Sequence, residues 1–83
     1  MIQFLYFAWV RTHIGVGEER LSPPDVTSVA ALLDWLATRS PGHAAALADR
    51  SAIRVAIDQD FVGTDATVAG AREVAIFPPV TGG

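Results

Sequence analysis

The sequence predicts an α+β fold: a mixed sheet, a helix packed on one face, and an extended C-terminal tail. Three observations lead there. Runs rich in Ile, Phe, Tyr, Trp and Val stand at both ends of the chain, as strands prefer. Between them, Val29, Leu32, Leu33 and Leu36 recur at helical spacing. After the last apolar run, Pro78-Pro79 and the closing Gly82-Gly83 end regular structure.

The first run, Met1 to Thr12, holds no Gly or Pro and reads as one strand. Ile2, Phe4, Tyr6, Ala8 and Val10 fall on one face, and Leu5, Phe7 and Trp9 on the other. Both faces are apolar, so one should meet the core and the other something else. Gly15 and Gly17 mark a turn, Glu18 to Leu21 returns as a short second strand, and Pro23-Pro24 stops it. Thr27 or Ser28 suits a helix N-cap, with Asp25 close enough to favour the dipole. The helix carries its apolar stripe to Leu36, places Arg39 in its last turn and ends at Ser40-Pro41-Gly42. His43 to Asp49 is Ala-rich and predicts a shorter second helix.

Ile53, Val55 and Ile57 alternate with Ala52, Arg54 and Ala56 as a third strand. Asp58-Gln59-Asp60 is a polar turn, and Phe61-Val62 a short fourth strand. Gly63 to Ala71 is turn-rich, with Val68 its one core plug, and Glu73 to Phe77 is the last strand. Residues 1–77 thus form one domain and 78–83 an extended tail. A helix crossing over a hairpin with right-handed connection sets the first and last strands side by side and parallel. That is the β-grasp topology.

Composition bounds the function. Of 83 residues 51% are apolar, but 14 are Ala, so large core-formers are fewer than the percentage suggests. A chain this small buries only about 60–65% of its unfolded surface. Without Cys it has neither disulfide nor thiolate metal site, and any sulfur it handles cannot sit on its own side chains. Net charge is −3, Lys is absent and the six Arg are scattered, which disfavours nucleic acid as a partner. The longest apolar run, Phe4 to Val10, is far short of the roughly 18 residues of a membrane span. It also lacks the basic lead and cleavage site of a signal peptide, so a cytoplasmic location is expected.

Two segments resemble the small subunit of molybdopterin synthase, a ubiquitin-like sulfur-carrier family: Leu5-Tyr6-Phe7-Ala8-Trp9-Val10-Arg11, and Glu73 through Phe77 followed by Pro78-Pro79-Val80-Thr81-Gly82-Gly83. Val29 to Leu36 is similar to the family's Leu-rich helix, and Arg54 to Gln59 to its third strand. Ala71-Arg72-Glu73 replaces a common Gly-Asp-Glu, and Asp58 a common Asn; neither touches the tail. The resemblance implies that the Gly83 carboxylate is adenylated by an ATP-using activating enzyme and converted to a thiocarboxylate. It implies that the tail then inserts into a large subunit and donates sulfur to a cyclic pyranopterin precursor. On this reading the chain binds no cofactor or metal and is a carrier, not an autonomous enzyme. The active site lies on the large subunit, in a heterotetramer. Phe7, Arg11, Phe61 and Phe77 match positions that dock on that subunit.

The residues themselves fit such work. Glycine has no Cβ, so Gly82 and Gly83 can thread a narrow channel. Pro78 and Pro79 stiffen the tail's base and lower the entropy lost on insertion. Val80 and Thr81 can pair as an added strand or fill small pockets. An apolar patch left open on so small a domain, with Leu5, Phe7, Trp9, Phe61 and Phe77, marks an interface. Competing readings are a carrier for thiamine or another thio-compound, a ubiquitin-like modifier of lysines, and a purely structural interaction domain. Gly15-Val16-Gly17 lacks a following helix start and is no nucleotide loop. Asp58 and Asp60 read as a solvated turn, His13 and His43 as surface histidines, and Glu18-Glu19 as a charged strand edge. The absence of Lys leaves an activated terminus no side-chain amine to meet, but is read as a consequence of an Arg- and Ala-rich composition.

Overall fold

The computed structural model describes residues 1–79; Val80, Thr81, Gly82 and Gly83 lie outside the described residues. The chain runs β1 (Ile2–Tyr6), α1 (Ala8–Ile14), β2 (Glu18–Leu21), α2 (Val29–Ala37) and α3 (Pro41–Ala46). A 3-10 turn over Arg50–Ala52 then leads to β3 (Arg54–Ile57), β4 (Asp60–Val62) and β5 (Glu73–Phe77). The strands form one sheet in the order β2-β1-β5-β3-β4. β1 and β5 pair in parallel at its centre, with Phe4 opposite Val74 and Tyr6 opposite Ile76. The other pairings are antiparallel. This is the β-grasp topology the element order predicts.

The first run is not one strand. β1 ends at Tyr6, and the chain turns through Phe7 into a seven-residue helix. Ala8 makes that turn with φ of +53°, a conformation that costs an L-residue about 1–2 kcal/mol. Val10 and Ile14, four apart, become the inward stripe of α1, with Val10 fully buried. Gly15 is not the tip of a hairpin either. At φ +99° it caps α1, donating its N–H to the Arg11 carbonyl at 2.8 Å. β1 and β2 still pair, but a helix connects them.

The later elements fall close to expectation. Ser28 caps α2 by accepting from the Ala31 N–H at 3.1 Å, and the helix buries Val29, Leu32, Leu33 and Leu36. α2 ends at Ala37, so Arg39 lies just past it. α3 begins two residues before the predicted start, because Ser40 caps the His43 N–H with Pro41 at the first turn. Asp58 and Gln59 both take positive φ, 49° and 75°, the pattern of a two-residue hairpin turn between β3 and β4. The loop after β4 is pinned to α2: Ala66 and Thr64 carbonyls accept from Val29 and Ala30, and Val68 is buried.

Phe4, Tyr6, Val55, Val74 and Ile76 meet the α2 stripe, Val10, Leu47 and Ile53 in one core on the helix side of the sheet. Among the described residues no helix is long and apolar enough to cross a membrane.

α1 and α3 approach closely at Gly42, where a Cβ would collide with the His13 carbonyl oxygen. Gly42→Ala should therefore force the two helices apart and lower the unfolding free energy by about 1–3 kcal/mol, read by urea denaturation. Unchanged stability would show that the contact yields freely.

Candidate functional site

Strand register places side chains on the sheet face that the helices leave open. Leu5 stands opposite Ala75, Ala75 opposite Ala56, and Ala56 opposite Phe61, a single apolar row across four strands. Phe77 lies beside it, its ring centroid 5.4 Å from that of Phe61. Phe61 is 77% exposed and Phe7 49%, whereas Ala56 is buried. Beyond Leu5 the row gives way to polar groups on β2: the Gln3 amide donates to Glu18 at 3.1 Å and accepts from Arg20 at 2.8 Å.

The tail base sits at one end of this face. Because β5 runs parallel to β1, both strands finish together, and the Phe7 N–H reaches the Ile76 carbonyl at 3.2 Å. Pro78 and Pro79 follow Phe77 directly and are half-buried. Beside this end a groove of about 500 Å³ is lined by Leu5, Tyr6, Phe7, Arg11, Gly17 and Glu18. Arg11 closes over Gly17, whose missing Cβ would stand 3.1 Å from its Nε. Of the sequence-predicted interface set, Phe61 and Phe77 thus form one aromatic pair, and Phe7 and Arg11 share the groove. Trp9 leaves the set: it lies on α1 rather than the strand and packs edge-on against His13, with centroids 6.0 Å apart. The expected reactive carbon of Gly83, with Val80, Thr81 and Gly82, lies outside the described residues.

Two polar groups differ from expectation. His43 is not on the surface but buried, and Glu19 is half-buried instead of lining an exposed edge. Glu19 points from β2 into the helix side, since it pairs with Phe4. One carboxylate oxygen accepts the Tyr6 hydroxyl at 2.7 Å and the His43 Nε2–H at 2.6 Å. Ser40 holds the other ring nitrogen at 2.7 Å and accepts the His43 backbone N–H at 3.1 Å. No buried side-chain polar atom among the described residues is left without a partner. The network ties β1, β2 and α3 together, and the sequence around His43 shows only its Ser40 arm. Glu19 lies 24 residues from His43.

Burial pulls the Glu19 pKa upward, but the hydrogen bonds from Tyr6 and His43 and the charges of His43 and Arg39 together outweigh it, so the net shift is downward. Burial, then the bond to Glu19 and its charge, push the Tyr6 hydroxyl far above its ordinary range, so it remains a donor. Asp58 is likewise occupied. It accepts the N–H groups of Arg72 and Glu73 at 3.0 and 2.9 Å, locking the β3–β4 turn to the start of β5. No group of three or more His, Asp or Glu among the described residues is placed to hold a metal.

The ThiS family model matches residues 4–83. The chain belongs to the ThiS family. Full-length relatives of this family include the molybdopterin synthase sulfur carrier subunit of Escherichia coli (strain K12), 39% identical over 83 residues, with 100% of both chains covered. The protein of the same name from Haemophilus influenzae is 36% identical, again over 100% of both. Among solved structures, SAMP1 from Haloferax volcanii superposes with a TM-score of 0.73 at 25% identity, covering 99% of this chain and 98% of that one.

Glu19 has a lowered pKa in the folded state, so its contribution is complete above the ordinary carboxylate range and is lost as pH falls through the folded-state value. Urea midpoints taken from about pH 7 down to about pH 3 should fall, and fall less steeply in Glu19→Gln. Parallel pH profiles for the two proteins would remove Glu19 from the acid response.

Proposed function

We propose that this chain is the sulfur carrier subunit of a molybdopterin synthase. The observation that carries the reading is the end-to-end match to two relatives of that name, across the whole length including the Pro78-to-Gly83 ending. The fold supports it. The central strand β5 runs into Pro78-Pro79 at the end of an open apolar face.

A carboxylate at neutral pH is a poor electrophile. Its oxygen attacks the α-phosphate of ATP on an activating enzyme, expelling pyrophosphate and leaving an acyl adenylate at Gly83. A sulfur nucleophile then attacks the carbonyl carbon and expels AMP, which gives the thiocarboxylate. Inserted into the large subunit, the thiocarboxylate sulfur bonds to a carbon of a cyclic pyranopterin precursor, water cleaves the acyl C–S bond, and the tail returns as carboxylate; two rounds complete a dithiolene. The protein's share of this chemistry is delivery, since the attacked carbon belongs to the backbone.

The row from Leu5 to Phe61, with Phe77 and Phe7 at the tail end, is the surface that meets the large subunit, and Arg11 offers a cation at its margin. Such an arrangement holds the tail at its base while the last residues reach into the partner. A large-subunit dimer carrying one copy of this chain on each side gives the heterotetramer.

Two experiments test this. The chain incubated with activating enzyme, ATP and a sulfur donor should gain, on its C-terminal peptide, the mass of sulfur replacing one oxygen. It should then support molybdopterin formation with the large subunit, and deletion of Gly82-Gly83 should abolish both. Stable isopeptide conjugates in place of the mass gain would point to protein modification. Separately, Phe7→Ala and Phe77→Ala should each weaken binding to the large subunit at least about tenfold while the thermal melt stays cooperative. Normal binding by both would refute the surface assignment.

A further inference from the structure

A second cleft lies away from the open face, between α2 and the edge strand β4. It encloses about 250 Å³ over an apolar floor of Leu33, Ile53, Val55 and Val62, with Arg50 and Arg54 on its rim. Gly63 and Thr64 form the wall next to β4. Three features define what fits there. The floor takes an aliphatic side chain. β4 ends the sheet, so among the described residues one of its sides has no neighbouring strand. In a two-residue hairpin Asp60 and Val62 turn their backbone groups toward β3, which leaves the N–H and C=O of Phe61 facing outward.

The third feature is charge. Arg50 is spent: its Nε donates to the Leu47 carbonyl at 2.7 Å and it pairs with Asp34 at 3.0 Å. Arg54 is exposed and forms no ion pair among the described residues. One of its terminal nitrogens is anchored to the carbonyls of Ser51 and Ile53 at 3.1 and 2.8 Å. That anchoring curls the guanidinium back beside Ile53, a residue of the cleft floor, with its other donors uncommitted. On the wall next to β4 the Asp65 carboxylate lies against Gly63.

We infer that the α2–β4 cleft docks an extended peptide segment of a partner protein. The segment adds to the free edge through Phe61, drops an aliphatic side chain onto Leu33 and Val62, and sets an acidic residue on Arg54. Strand addition supplies backbone bonds, and the pocket and the cation supply selectivity. The site does not rest on the sulfur-carrier reading: the tail takes no part, and Phe61, the end residue of the apolar row, contributes only its outward backbone groups.

The probe is an acetylated and amidated pentapeptide, Asp-Val-Ile-Val-Asp, titrated into the isotope-labelled full chain and followed by amide NMR. Expected are saturable shifts at Phe61 to Thr64, Leu33 and Arg54, and slower exchange of the Phe61 N–H. Arg54→Gln, with a folded spectrum, should bind about tenfold more weakly, the loss of one charge-assisted contact. A control peptide with Lys in place of both Asp should bind no better than that variant. The inference fails if no residue shifts or if the shifts fall on Leu5 and Ala75 instead. It fails equally if both peptides bind alike, or if the same amides shift with protein concentration alone, which would make the occupant a second copy of the chain.

Discussion

The parallel pairing of β1 with β5 is the constraint on which the rest depends. A parallel pair cannot be closed by a tight turn, so the chain between the two strands must at some point cross over the sheet. The crossover brings α2 onto one face, and the α2 stripe then dictates which face of each strand is buried. The same pairing brings the ends of β1 and β5 together, so the tail base, Phe7 and the first turn of α1 share one corner. Reversing the direction of either strand would separate them.

From that corner the division of labour follows. One sheet face is spent on the core, where Phe4, Tyr6, Val74 and Ile76 interlock with the helices. The other carries an apolar row that the domain does not cover, ended by Phe61 on one side and by the Gln3, Glu18 and Arg20 network on the other. Stability and docking therefore draw on alternate residues of the same strands. A one-residue slip in register would exchange the two sets, so the fold's register and the docking face are fixed by one constraint.

Most of the architecture was legible because its signals are local. The α2 stripe, the Ser28 cap, the Asp58-Gln59 turn and the alternation in β3 and β5 each lie within a few residues. The β1–α1 junction was not. The residue that turns the chain there is Ala8, which carries none of the warning a glycine would, and the apolar run continues across it. The buried Glu19–His43 contact was missed for another reason: nothing in either residue's neighbourhood reports a partner two elements away. In the candidate site, the alternation of β1 predicted the face of Leu5, whereas Phe61 on β4 and Phe77 on β5 were expected only nearby and are set beside that row by the strand register. Trp9 was misplaced because its periodicity was counted along a strand that had already become a helix. The family resemblance depended chiefly on the ending beyond Phe77, where no periodicity operates at all.

Gly42 gives the corner a remote dependency. The bare α-carbon lets α3 rest against the last turn of α1, and α1 carries Arg11 to the groove beside the tail. The orientation of that arginine is therefore inherited from a hydrogen atom in a different helix. A methyl group introduced there would surface as altered recognition in an assay, although it touches neither the tail nor anything the tail meets.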